Sequence, residues 1–289
     1  MIGVFDSGVG GLSVLREIRR QLPGEPLLYV ADSGHAPYGD RSADFIEARS
    51  TAIVEFLVEA GARAIVIACN TATVVAVRAL RAWCPVPIVA MEPAIKPAVS
   101  LTRSGVVGVL ATRRTLESPS VARLCERHGH EARILLQACP GLVDRVEQGD
   151  LQGAATRGLL ESYVGPLLEQ GADTLVLGCT HYPFLEPLLR ELAGPGVSIV
   201  DPAGAVAREL QRRLGAHEAP RDAIRAPRDA LQAQRDALRA QRPGPPAGLL
   251  VEGGERFLSS GALVGARAVM SALWGRDLVV DPLPVAPGV

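Results

Sequence analysis

The sequence predicts an α/β protein made of two pseudo-symmetric domains on parallel or mixed sheets. Three observations carry this: short aliphatic runs alternate with amphipathic stretches, a cysteine-bearing segment occurs twice, and 289 residues suffice for two separately buried cores. The runs Ile2–Phe5, Leu27–Ala31, Ala64–Ala68 and Val86–Ala90 read as buried strands. Leu12–Gln21, Ser42–Ala60 and Thr71–Trp83 read as the helices between them. The alternation resumes with strands at Val106–Leu110, Ala132–Leu136, Thr174–Gly178 and Ser198–Val200, again separated by helices.

The repeat is the most informative feature. Glu59-Ala-Gly-Ala-Arg-Ala-Ile-Val-Ile-Ala-Cys69-Asn70-Thr71 lies over Glu169-Gln-Gly-Ala-Asp-Thr-Leu-Val-Leu-Gly-Cys179-Thr180-His181, 110 positions further on. Both copies read as helix end, glycine turn, strand, cysteine. A weaker match sets Ile2–Ser7 over Val107–Thr112. The repeat places one domain at 1–97, completed by about 206–220 and 248–289, and a second at 98–205.

Residues 221–241 differ in kind, forming three heptads that begin Arg-Asp-Ala. One strong apolar residue per heptad (Ile224, Leu231, Leu238) is too thin for a coiled-coil seam. A solvent-exposed insertion at 221–246 is expected, closed by Pro-Gly-Pro-Pro. Ordered structure is expected to resume at Gly248–Val251, with a helix over Glu255–Trp274 finishing the fold.

Composition narrows the partners. Thirty basic residues against 31 acidic ones leave a net charge of -1, which gives no electrostatic basis for binding nucleic acid or a membrane surface. No stretch has the form of a signal peptide or the ~18 apolar residues of a membrane span, so a cytoplasmic protein is expected. Five cysteines, an odd count without a C-x-x-C pair, read as free thiols in a reducing compartment.

In open parallel sheets ligands bind beyond the carboxyl ends of the strands. Asp6-Ser7, Cys69-Asn70-Thr71 and Cys179-Thr180-His181 all fall there, each before a helix start whose N–H groups can receive an anion. If the two halves face each other, the repeat puts the two thiols on opposite sides of a shared cleft. Inverting a stereocentre needs a base on one face and an acid on the other, and a thiolate and a thiol serve as both. A thiol titrates near ~8.5, so Asp6 and His181 are candidates to move or hold its proton. Cys84, Cys125 and Cys139 have no such match and read as structural.

Taken together, Asp6-Ser7-Gly-Val-Gly-Gly-Leu-Ser, Pro37-Tyr38-Gly39, Ala-Cys69-Asn70-Thr71-Ala, Ala-Cys139-Pro140, Gly-Cys179-Thr180-His181-Tyr-Pro and Asp201-Pro202 resemble the glutamate racemases. The resemblance covers about residues 1–215 and implies a cofactor-independent isomerase that supplies D-glutamate for peptidoglycan. It implies that Cys69 and Cys179 are the paired proton donor and acceptor, with Asp6 assisting Cys69. His181, together with Glu147, would assist Cys179. Ser7, Tyr38, Gly39, Asn70, Thr71, Thr180 and His181 match positions that hold the substrate, with Asp6 beside them. Asp32 is a weaker candidate for the proton network, and Thr112 and Thr115 are weaker candidates for one carboxylate. By analogy a homodimer is expected. Gly141 and Asp144 depart from the family's bulkier residue and proline, and the heptads have no family counterpart.

Other readings are weaker. Gly8-Val-Gly10-Gly11 lacks both G-x-G-x-x-G spacing and a Walker ending, so the glycines suit a tight turn or anion recognition better than a nucleotide. A pyridoxal-phosphate enzyme needs a Schiff-base lysine, and Lys96, the only lysine, sits before a proline. His128-Gly-His130 suits an exposed helix end better than a metal, and no metal is expected. An aspartate or hydantoin racemase of the same two-cysteine type is the nearest enzymatic rival. A non-catalytic regulatory protein on this fold is the rival from another class.

Overall fold

The computed structural model describes residues 1–218 and 254–285. The heptads, their closing prolines and the segment Gly248–Val251 lie outside the described residues. Among the described residues ten strands form two sheets in which every pairing is parallel. The first sheet takes β1 (Ile2–Asp6), β2 (Leu27–Ala31), β3 (Ala64–Ile67), β4 (Ile88–Ala90), β9 (Glu255–Ser259) and β10 (Val280–Pro282) in the order β10-β9-β2-β1-β3-β4. The second takes β5 (Val106–Ala111), β6 (Arg133–Ala138), β7 (Thr174–Leu177) and β8 (Ser198–Val200) in the order β6-β5-β7-β8.

The order β2-β1-β3-β4 in one sheet repeats as β6-β5-β7-β8 in the other, so β1 corresponds to β5 and β3 to β7. This is the pseudo-symmetry that the sequence repeat predicts. Strands β1, β2, β3 and β7 are buried along their whole length, as continuous aliphatic runs covered on both faces require.

Between the strands run α1 (Leu12–Gln21), α2 (Ala43–Glu59), α3 (Asn70–Trp83), α4 (Ile95–Leu101), α5 (Arg113–Leu116), α6 (Pro119–His128), α7 (Leu142–Glu147), α8 (Ala154–Glu169), α9 (Glu186–Ala193), α10 (Ala203–Glu218) and α11 (Leu263–Trp274). Side chains start several of them: the Ser42, Thr112 and Ser118 hydroxyls accept from the backbone N–H three residues on. Cys69 caps α3 in the same way, its sulfur accepting from Ala72 N at 3.4 Å. One buried apolar cluster runs from Val4 and Leu15 through Leu210 to Leu142, Leu177 and Tyr182 and joins the two sheets, while separate clusters around Ile53 and Ile67 and around Val107 and Val121 cover their other faces.

Two expectations are corrected. The segment Glu255–Trp274 is not one helix, because Glu255–Ser259 extends as β9 beside β2 and only Leu263–Trp274 is helical. Its charged start concealed the strand, since Glu255 pairs with Arg19 and Arg276, and Arg256 with Asp281. The helix end at His128 is not exposed either: His128 is buried with Nδ1 3.2 Å from Glu131, and only His130 faces solvent.

Candidate active site

The site is built where the strands of both sheets end. Asp6 is the last residue of β1, Cys69 follows β3 by two residues, and Cys179 follows β7 by two. Both sulfurs line one small cavity between the sheets, with Ser7, Tyr38, Asn70, Thr71, Thr180 and His181. Pro37, Gly39, Thr112 and Val143 complete the lining. Its volume is about 10 Å³, room for roughly one water, so admitting an amino acid requires the walls to move apart.

Around Cys69 the groups come mostly from the first sheet. The thiol reaches Ser7 Oγ at 3.5 Å, and that hydroxyl lies 3.3 Å from Asp6 Oδ1. Asp6 is fully buried; Oδ1 accepts from Ser7 N at 2.7 Å, and Oδ2 from Gly11 N at 2.6 Å and Thr180 Oγ1 at 3.1 Å. Burial pushes its carboxyl above the usual range, while the His181 charge and the bonds from Cys69 and Ser7 pull the other way. Cys69 caps a helix, a position that favours a thiolate, yet burial and the neighbouring Asp6 charge win and push its thiol well up.

Around Cys179 the arrangement differs. Its sulfur lies 3.7 Å from His181 Nδ1, and His181 Nε2 lies 2.7 Å from Glu147 Oε1. Burial alone would lower the imidazole pKa, but the bonds to Cys179 and Glu147 outweigh it and hold the ring well above its ordinary value. Glu147 ends α7 and crosses to the first sheet's loops, where Oε1 accepts from Val9 N at 2.6 Å and Oε2 from Ser33 Oγ at 3.1 Å.

The glycines at 8 and 10 are explained by close approach. A Cβ on Gly8 would stand 1.8 Å from Glu147 Oε1, and one on Gly10 would stand 2.3 Å from His181 Nδ1. The Gly-Val-Gly-Gly stretch leaves room for an acid and an imidazole from the opposite half. The stretch also makes the expected turn, and its Val9 and Gly11 N–H groups donate to the Glu147 and Asp6 carboxylates.

Polar groups that could meet a substrate surround the two sulfurs. Asn70 carries the strongest sign: both its amide N and its amide O are buried without a hydrogen-bond partner among the described residues, at a typical cost of about 1–3 kcal/mol. Thr71 Oγ1 lies 3.0 Å from Thr112 Oγ1 and 3.3 Å from Thr115 Oγ1, a hydroxyl cluster shared by the halves. Gly39 packs its backbone against Thr112. Tyr38 lines the cavity with its ring, but its hydroxyl donates to Asp32 Oδ2 at 2.6 Å.

Asp32 stands apart from the cysteines. Its carboxylate pairs with the buried Arg49 guanidinium at 2.6 Å and with His35 at 3.1 Å, anchoring the turn that carries Tyr38. Sequence reasoning missed Val9 N and Ser33, which grip Glu147. No residue pattern announces a backbone N–H or a lone serine across 114 positions of chain.

Two thiols and an imidazole that meet one cavity from two matched halves are an arrangement suited to an enzyme that moves protons. The chain belongs to the Asp/Glu/Hydantoin racemase family, whose sequence model matches residues 2–210. The glutamate racemase of Ectopseudomonas mendocina is 61% identical over 218 residues, 75% of this chain and 83% of that protein. That of Stutzerimonas stutzeri is 48% identical over 286 residues, 98% of this chain and 97% of that one. The structure of Escherichia coli glutamate racemase in complex with L-glutamate and the activator UDP-MurNAc-ala superposes with a TM-score of 0.79 at 32% identity, over 99% of this chain and 98% of that chain.

Proposed function

We propose that this chain interconverts L- and D-glutamate without a cofactor, using Cys69 and Cys179 as the two bases. The observation that carries the reading is that both sulfurs, at matched ends of β3 and β7, open onto the same cavity. One cysteine, as thiolate, removes the α-proton; the other, as thiol, delivers a proton to the opposite face. The reverse reaction exchanges their roles.

The helpers follow from the contacts. Asp6, linked to the thiol through Ser7 Oγ, takes or returns the Cys69 proton, and His181, backed by Glu147, does the same for Cys179. Ser7, Asn70, Thr71 and Thr180, with the Tyr38–Gly39 turn and His181, hold the ammonium and carboxylates. The unpartnered Asn70 amide supplies both a donor and an acceptor. Thr112 extends the hydroxyl cluster beside Thr71.

In the cell the product serves peptidoglycan synthesis, and we place the enzyme in the cytoplasm as a homodimer, which light scattering tests. Among the described residues no helix is long and apolar enough to cross a membrane.

The experiment is incubation of L-glutamate in deuterated water without added cofactor. The expected result is a circular-dichroism signal that decays to zero, with deuterium at the α-carbon of the product. Cys69→Ala and Cys179→Ala each abolish the decay. Equal turnover of L-aspartate would move the assignment to another substrate, and no turnover of either would refute the reading.

A further inference from the structure

Glu147 is a residue of the second half whose carboxylate is held by the first. Oε1 is shared between His181 Nε2 at 2.7 Å and Val9 N at 2.6 Å, while Oε2 has Ser33 Oγ at 3.1 Å. Rotation about the last torsion of a glutamate is broad and roughly two-fold, so one bonded oxygen does not fix the plane of the carboxylate. The Ser33 hydroxyl supplies the second point.

Ser33 is itself firmly mounted. It opens the short 3-10 turn Ser33–His35, directly after the Asp32 that is locked to Arg49. The next residue, Gly34, donates to Ser260 Oγ at 3.1 Å, at the end of β9, and has no room for a Cβ, which would lie 2.6 Å from the Ser260 carbonyl oxygen.

We propose that Ser33 is a positioning residue for the Cys179 half of the reaction, fixing the Glu147 carboxylate so that it stays on His181. The inference rests on the racemase reading above and adds to it a residue that touches neither the cavity nor a cysteine. It also makes the Cys179 relay conditional on the two halves being together, because Val9 and Ser33 belong to the half opposite Glu147.

The test uses Ser33→Val and Ser33→Thr, which share a shape and differ in the hydroxyl, with Ser33→Ala as a smaller change. Enantiomers have an equilibrium constant of one, so any loss in kcat/KM must be equal for L- and D-glutamate and cannot reveal which half is damaged. Primary isotope effects on kcat/KM with the two α-deuterated enantiomers can. In Ser33→Val and Ser33→Ala, kcat falls about tenfold, the loss of one useful hydrogen bond. The isotope effect rises for the enantiomer whose deuteron Cys179 removes and falls for the other. Ser33→Thr restores the wild-type pair of values.

Unchanged kcat, or isotope effects that shift alike for both enantiomers, would overturn the inference while leaving the racemase reading intact. A wild-type enzyme inactive on glutamate would instead defeat the reading beneath it. Should either hydroxyl-free variant fail to fold, the other paired with Ser33→Thr decides.

Discussion

Thr180 Oγ1 donates to Asp6 Oδ2 at 3.1 Å, so the residue directly after one cysteine holds the carboxylate that Ser7 links to the other cysteine's thiol. The reverse crossing is made by Glu147, which supports His181 beside Cys179 yet is gripped by Val9 and Ser33 of the first half. Ser13 adds a third tie, its hydroxyl donating to the carbonyls of Gly10 at 2.9 Å and Thr180 at 3.0 Å. Each half thus steadies the acid–base machinery of the other.

Thr180→Val removes one of the donors to a fully buried carboxylate. A hydrogen bond to a charged group contributes about 1.5–3 kcal/mol, so the midpoint of denaturant unfolding at neutral pH should fall accordingly. Because the folded Asp6 pKa is already raised, the loss should shrink on acidification, where the neutral carboxyl no longer needs the donor. A loss that stays constant across that range counts against the assignment.

Glu147→Gln replaces the charge that helps hold His181 above its ordinary value. The imidazolium then deprotonates at lower pH. The basic limb of the kcat/KM profile should move to lower pH, with little change in the acidic limb. Parallel profiles for wild type and variant would show that the pair does not govern the reaction.

Gly10→Ala puts a methyl group where His181 Nδ1 stands, at 2.3 Å. The ring must leave the Cys179 sulfur or the loop must move. Misplacement of about an ångström can cost 10²-fold, and kcat should drop by about that factor. Thermal unfolding monitored in parallel should show a cooperative transition, which separates displacement of the ring from collapse of the fold.

Asp32→Ala leaves the buried Arg49 guanidinium without its carboxylate. Breaking one side of a buried pair typically costs about 3–5 kcal/mol, measurable by denaturant titration. Burial alone would raise the Asp32 pKa, but the bonds from Arg49 and Tyr38 win and hold it below the usual range. Its contribution is therefore present above the ordinary carboxylate pKa and lost as pH falls through the folded value, and Asp32→Asn should flatten that part of the acid limb.

The aliphatic strands and both cysteine segments were legible because full burial of a parallel sheet writes itself as uninterrupted apolar runs. Strand β9 was not, since Glu255 and Arg256 are satisfied by ion pairs at the sheet margin and look like helix surface. Asp6 and His181 are legible from their places beyond the strand ends, whereas Glu147 comes only from a resemblance, and their contacts explain why these residue types stand there. The close approach at Gly8 and Gly10 was not legible, because the acid and imidazole that need the space lie about 140 and 170 residues away, a distance no local pattern spans. The pairing of Asp32 with Arg49 is not legible, because the two meet across 17 residues with no pattern that joins them.

The matched strands differ at one decisive place: Asp6 closes β1, and Ala111 closes its counterpart β5. The second half repeats the sulfur but not the carboxylate, and its sulfur lies instead against an imidazole of its own loop. On the two-cysteine reading, a mirror-image substrate pair is handled by two chemically unlike hands. An inhibitor whose warhead seeks an imidazole-paired sulfur should discriminate between the two cysteines, even though the reaction they share favours neither enantiomer.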